Sequence, residues 1–341
     1  MMKFLSFLNQ VVGVDIGSLS SHVVWRDKVV SFATAVTYKK KGKELVAVGD
    51  EAQRMWQRVP SQLEVVEPVA RGRIVSDEAM VSLLDYGMKR VGVKEDWWGL
   101  GYFWAKVVGV VDPVLNSVER RVVKEVLGRL GFQRVFLIDK LMTGLIGYGW
   151  DVFEPTGKLV VYIGGEISHV SLVSLGGKVL EVSLEKGGRD VSYELIDYLR
   201  RRYGLVVSVA EVEKIKKMDK EDQGQRVRLR GFDRVKGKMQ ILELDMKEVD
   251  EVLLGAYSSL VRMVKQVLSR VPSEFLPEIN KQGIVLMGRG SWFRGLDVWL
   301  ADELGVPIRC EKDKDMIVEG LKKIIRGEVN ISRFNRMKDE G

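Results

Sequence analysis

The sequence predicts an α/β protein of two related lobes, each organised on a strand, a tight glycine turn and a returning strand. Three observations lead there. In KLVVYIGGEISHVSLVSLGG (158–177) an apolar run enters Gly164-Gly165, and alternation resumes through Val170, Leu172 and Val173, the pattern of strand, turn and strand. Asp15–Val24 aligns without gaps on Tyr162–Ser171, so that Ile, Gly, Ser, His and Val coincide and the two histidines of the chain, His22 and His169, become equivalent. Around both copies strand patterns alternate with helical ones, as in α/β lobes.

A glycine turn lets backbone N–H groups approach an anion without interference from Cβ. Either copy alone also has the look of an ordinary hairpin. Two copies, one in each half, suggest two domains facing each other across a cleft with a phosphate loop on each.

A chain of 341 residues, 46% of them apolar, can bury two full cores. Its one cysteine, Cys310, excludes an internal disulfide framework and fits a reducing cytosol. The net charge of +7 leans toward anionic partners such as lipid headgroups or nucleic acid without establishing either. No window approaches the roughly 20 apolar residues of a membrane span.

Met1 to Asn9 places Met1, Phe4, Leu5, Phe7 and Leu8 on one broad helical face, a short amphipathic membrane foot or else a lead-in packed on the domain. Nine residues hold a membrane firmly only when many copies act together. Val11–Asp15 is a buried strand and its return runs to Trp25; Val29–Thr37 and Leu45–Val48 are further strands. The basic run Lys39–Lys43 between them reads as a solvated loop or a lipid-phosphate contact. Helices are expected over 51–58 and 76–91. Three tryptophans crowd Asp96–Trp104, filling a core or covering an edge, ahead of the strand Lys106–Val111. Asn116 or Ser117 caps a helix over 118–130 that Gly131 stops; the strand Val135–Ile138 leads into a helix over 141–148.

After the second hairpin come a strand over 178–184 and a helix over 191–203. Gly187-Gly188 opens that helix, either as an anion contact or as a turn. A helix over 210–218, a polar loop (219–225) and paired strands over 226–230 and 239–244 follow. Lys247–Val271 reads as one long amphipathic helix stopped by Pro272. Ile284-Val-Leu-Met-Gly-Arg-Gly290 repeats the strand-into-glycine theme before a helix over 292–304, and the charged tail covers 328–341.

With these pieces in order, the sequence resembles the MreB family of bacterial actin homologues over nearly its whole length. The passages VAVGDEAQRM (46–55), SVERRVVKEVLGRLGF (117–132), FEPTGKLVV (153–161), GGRDVSYELIDYLRRRYGL (187–205) and GIVLMGRGSWFRGLDVWLADELGVPIR (283–309) follow the family order, and MMKFLSFLN matches its amphipathic N-terminus. The resemblance implies an actin-like two-lobed fold of duplicated ribonuclease H-like domains in four subdomains. The lobes would cover 10–148, with a small subdomain about 33–74, and 149–327, with a small subdomain about 190–254. It implies ATP or ADP with Mg²⁺ in the cleft and head-to-tail filaments on the inner face of the cytoplasmic membrane. The partners would be further copies or an active family member, the membrane and the membrane proteins of cell-wall elongation, and not nucleic acid.

By the same resemblance Asp15, Gly17 and Ser18 stand at the first phosphate loop, Gly164 and Gly165 at the second, and Gly188 at the turn before a helix. Glu213 and Lys216 stand at the adenosine, Gly288 and Gly290 flank the purine-side loop, and Arg289 enters it. Asp15 would face the metal through water.

The departures fall on chemistry. Lys140 occupies the position of the acid that orients the attacking water, Tyr162 that of the second metal-side Asp, Glu166 that of a third glycine and Ile167 that of a water-orienting hydroxyl. Losing a positioned acid or base costs about 10²–10⁴ in rate, and an unpaired carboxylate is repelled by a nearby phosphate by roughly 4 kcal/mol at a dielectric of about 20. Lys140 would pair with Glu166 or touch phosphate. The implied protein is a filament subunit with hydrolysis impaired or lost; the alternatives are an active hydrolase, with Asp139 or Glu119 as its acid, and a monomeric actin-fold membrane adaptor of pilus-assembly or division type.

Overall fold

The hairpin that opens the chain forms as its pattern predicts. β1 (Val11–Asp15) and β2 (Ser20–Trp25) pair antiparallel with Asp15 opposite His22. The computed structural model describes residues 11–56, 58–93, 102, 105–218, 226–312, 314–330 and 333–334. The expected foot, the loop 219–225, most of 96–104 and the end of the tail lie outside the described residues. The chain divides into two compact units, Met1–Glu154 with Lys314–Gly341, and Pro155–Asp313.

In the first unit β3 (Lys28–Ala33) extends the hairpin. A three-stranded sheet follows from β4 (Val36–Lys39), β5 (Leu45–Val48) and β6 (Leu63–Val66), with α1 (Asp50–Met55) between the last two. The single strand expected over 29–37 is therefore two, because Thr34 turns inward: its hydroxyl donates to the Gly17 carbonyl at 2.7 Å and sits 2.9 Å from Ser21 Oγ. Lys39 and Lys43 are exposed and paired with Glu44 and Glu78, as a solvated loop would be. After the short ladder β7 (Val69–Ala70) and β8 (Arg73–Ile74) come α2 (Asp77–Val91), β9 (Lys106–Val111), α3 (Ser117–Arg129), β10 (Arg134–Asp139) and α4 (Lys140–Tyr148). The main sheet runs β10-β9-β1-β2-β3, with β9 and β10 parallel to β1. Asn116 and Glu119 close a capping box on α3, and Tyr102 is buried and stacked on Phe132 at 4.7 Å.

The second unit repeats the plan with β11 (Lys158–Ile163), β12 (Ser168–Ser174) and β13 (Gly177–Leu184) as its meander. α5 (Gly188–Tyr203), β14 (Leu205–Val207), α6 (Val209–Lys216), β15 (Arg226–Asp233) and β16 (Lys238–Asp245) make a small sheet β14-β15-β16 with its covering helices. α7 (Met246–Ala256), α8 (Ser258–Leu268), α9 (Leu276–Gln282), β17 (Ile284–Met287), α10 (Leu296–Leu304) and β18 (Ile308–Cys310) complete it. Its main sheet runs β13-β12-β11-β17-β18, again antiparallel on one side of the central strand and parallel on the other. The two meanders thus share one topology as well as one sequence motif.

Two sequence expectations are corrected here. The long helix over 247–271 breaks at Tyr257 into α7 and α8, because that ring is buried and its hydroxyl is drawn to the Gly290 carbonyl. The helix over 292–304 starts only at Leu296, since Gly295 at φ +75° takes the left-handed conformation that precedes it.

The last helix, α11 (Met316–Ile325), is capped by Asp315 and belongs to the first unit, not to a second lobe ending at 327. It lies against α4 by backbone contact. A Cβ on Gly147 would stand 1.9 Å from the Met316 carbonyl oxygen, and one on Gly320 would stand 1.8 Å from that of Thr143. Lys323 Nζ donates to the Ile146 and Gly147 carbonyls at 2.9 and 3.4 Å, a cation at the negative end of α4. Among the described residues no helix is long and apolar enough to cross a membrane.

Candidate functional site

Each unit carries its own glycine hairpin, and the two have diverged in what they hold. In the first, the turn between β1 and β2 requires glycine at 17, where a Cβ would meet the Ser20 carbonyl oxygen at 2.4 Å. Ser18 Oγ accepts from the Gly72 amide at 3.2 Å, tying the turn to the β7–β8 segment. Asp15 ends β1 and is buried. One of its oxygens lies 3.1 Å from Lys140 Nζ, and the other lies 3.1 Å from His22 Nδ1 across the β1–β2 ladder.

Lys140 is the first residue of α4, at the end of β10, which stands two strands from β1. Only 2% of it is exposed, and its ammonium also donates to the Ile16 carbonyl at 3.0 Å. Burial by itself would push the Asp15 carboxyl up; the Lys140 charge and the His22 contact outweigh it and hold the carboxyl below its ordinary value. Asp15 is a partner of Lys140 that the sequence reading did not name, and it lies within the same unit.

The second hairpin is closed by the Gly164 amide donating to the Ile167 carbonyl at 2.8 Å. The amides of Gly188 and Arg189 donate to the Gly164 and Gly165 carbonyls at 2.9 and 2.8 Å, so the start of α5 spends them on the hairpin and Gly187-Gly188 acts as a turn. Gly288, at φ +91°, and Gly290 bring a third segment onto the same place: a Cβ on either would stand within 2.5 Å of Ile163 atoms. The glycines of the second hairpin, of the turn before α5 and of the purine-side segment, all in the second unit, therefore meet as one backbone-on-backbone junction.

Around that junction the substituted residues have structural partners. Glu166 is paired with Arg189 Nη1 at 2.8 Å, and Ile167 is buried. Tyr162 stacks on His169 at 6.0 Å, the same register pair that Asp15 and His22 make in the first hairpin. His169 Nδ1 in turn lies 2.8 Å from Ser183 Oγ. Lys216 is buried and donates to the Gly188 carbonyl, Ser192 Oγ and Glu213 Oε1 at 2.9, 2.9 and 2.8 Å. Arg289 is exposed, its guanidinium 5.7 Å from the Trp292 ring.

Sequence reasoning missed Arg189, Ser192, His22 as a partner of Asp15, and Tyr257. Ser192 had a signal, one helical turn after Gly188; Tyr257 had none, being one apolar residue in an amphipathic run. Its buried hydroxyl donates to the Gly290 carbonyl at 2.8 Å, and burial pushes its phenol up. Tyr257→Phe should cost about 1–3 kcal/mol by leaving that carbonyl without its donor, read as a lower midpoint in urea with an unchanged slope.

The donor set does not fit a hydrated Mg²⁺. The carboxylate expected to face it, Asp15, already has its charge matched by an ammonium, and the second acidic position is the phenol of Tyr162. Among the described residues no group of three or more His, Cys, Asp or Glu side chains could hold a metal.

Comparison with known proteins agrees with this frame. The family model described as MreB/Mbl protein matches residues 9–333. The cell shape-determining protein Mbl of Bacillus subtilis is 30% identical over 317 residues, covering 91% of this chain and 93% of its own. The crystal structure of MreB5 of Spiroplasma citri bound to ADP superposes with a TM-score of 0.83 at 23% identity, over 93% of this chain and 98% of its own. The MamK double helical filament gives 0.73 at 20% identity, over 94% of this chain and 99% of its own. Two five-stranded sheets of one topology, a duplicated glycine hairpin and a match over nearly the whole chain lead to one conclusion: the chain belongs to the MreB/Mbl family of actin-like, cell shape-determining proteins.

Proposed function

We propose that the chain is a subunit of an MreB-type filament, alone or co-polymerised with an active family member, attached to the inner face of the cytoplasmic membrane and binding ATP or ADP with hydrolysis impaired or lost. The observation that carries this reading is Lys140, a buried cation ion-paired to Asp15 where the resemblance expects the water-orienting acid. Nucleotide binding is supported by the ADP bound to the Spiroplasma relative, and assembly by the double helical filament of MamK. The amphipathic stretch Met1–Asn9 supports attachment to lipid, and avidity in a polymer would make so short a foot effective.

The two acids that could substitute for the missing one are committed elsewhere. Glu119 accepts from Arg73 Nε at 2.8 Å and from the Asn116 amide at 2.9 Å, and Asp139 caps α4 through the Leu141 amide at 2.9 Å. Active hydrolysis is therefore the weaker reading.

Electron microscopy on an anionic lipid monolayer with ATP, with phosphate release followed in the same sample, tests the proposal. Paired filaments or sheets are expected, with release about 10²–10⁴-fold below that of an active relative. Rapid release that falls in Asp139→Asn would restore the hydrolase. Absence of polymer with or without nucleotide, and with or without an active relative, would favour a monomeric adaptor.

A further inference from the structure

Lys140 is not a surface residue that could swing aside. It is 2% exposed, starts a helix whose cap is the preceding residue, and its ammonium contacts both Asp15 and the Ile16 carbonyl inside the turn of the first hairpin. We infer that this ammonium replaces the divalent cation of the nucleotide site, so that the chain takes the metal-free polyphosphate of ATP or ADP in preference to its Mg²⁺ complex. The inference rests on the nucleotide-binding reading above and concerns the form of ligand that this site accepts.

The charge balance of each hairpin, taken separately, points the same way. In the first, one carboxylate meets one fixed ammonium, with His22 on the other carboxylate oxygen. A divalent cation approaching Asp15 would meet a permanent positive charge at its ligand, buried where screening is weak. A bare polyphosphate would meet a neutralised turn. In the second, the carboxylate introduced at Glu166 is matched by Arg189 at 2.8 Å, and the position of the other metal-side acid is an aromatic ring stacked on His169. Neither hairpin therefore offers the uncompensated carboxylate that draws a hard cation with oxygen ligands, and neither places an unpaired anion against phosphate. Lys is suited to this role because it contacts phosphate as a compact point charge.

Isothermal titration calorimetry on the full chain, with ADP and ATP in the presence of a chelator or of excess Mg²⁺, tests the inference without any variant. The dissociation constant in chelator is expected to be lower than that in Mg²⁺. Affinity in chelator equal to or weaker than that in Mg²⁺ would overturn the inference and leave nucleotide binding standing. No binding heat in either condition, with no displacement of a fluorescent nucleotide analogue, would overturn the nucleotide reading and this inference with it. Paramagnetic resonance with Mn²⁺ supplies a second readout. Mn²⁺ added with ADP should show no protein-bound signal with the wild type and be retained on the protein in Lys140→Glu, which places an acid at that position. Stoichiometric retention by the wild type would overturn the inference.

Discussion

A Gly320→Val variant is expected to lose about 3 kcal/mol or more of stability, a fall in melting temperature of roughly 6–12 °C for a unit of this size. The expectation runs against propensity, since replacing glycine within a helix usually stabilises by up to about 1 kcal/mol. Geometry reverses the sign. A Cβ at 320 would stand 1.8 Å from the Thr143 carbonyl oxygen and 2.8 Å from the Thr143 carbonyl carbon, and these are backbone atoms that cannot rotate away. α4 and α11 would have to separate, and the buried Leu321 and Ile324 would lose part of their packing. Gly128→Ala in α3 is the control. Nothing lies within 4 Å of a Cβ there, so it should be neutral or slightly stabilising. Scanning calorimetry of the two variants decides the matter, and equal melting temperatures would refute the close helix crossing.

Lys140→Met should cost about 3–5 kcal/mol at neutral pH, because it strands a buried carboxylate without its counter-charge. The pH dependence identifies the cause. In the wild type the Asp15 carboxyl is lowered on folding, so its stabilisation is present above the unfolded value of about 3.9 and is lost as pH falls through the lower folded value. In the variant burial dominates and raises the folded value. Its penalty is full at neutral pH and is relieved as acid protonates Asp15. The gap between wild-type and variant denaturation midpoints should therefore be widest near neutrality and narrow below about pH 5. Asp15→Asn combined with Lys140→Met should recover much of the loss, since replacing both members of a buried pair is often nearly neutral. A gap independent of pH would mean that Lys140 matters through packing alone.

Most strand segments and the glycine turns were legible from local pattern. The exceptions have tertiary causes. Tyr257 splits a continuous amphipathic run because a carbonyl 33 positions away draws its hydroxyl, and Thr34 ends β3 because the first turn accepts its hydrogen bond. α11 shows a different failure. Asp315 followed by Met-Ile-Val-Glu-Gly-Leu is a readable helix start, yet nothing local says that the helix returns to the unit in which the chain began.

The sequence by itself determined the duplicated hairpin, the strands that carry it and the list of substituted positions, because these follow from spacing, apolar period and the need for glycine at tight turns. Only the tertiary structure decided what the substituted residues do. Lys140 lies 124 positions from the carbonyl that it bonds and reaches the end of β1 from β10, with β9 between them. Which side chains meet across such a sheet is set by strand order and register, and those come from the packing of the whole unit, which no local stretch records. Hence the counter-charge of Asp15 is a lysine that no local stretch names as its partner.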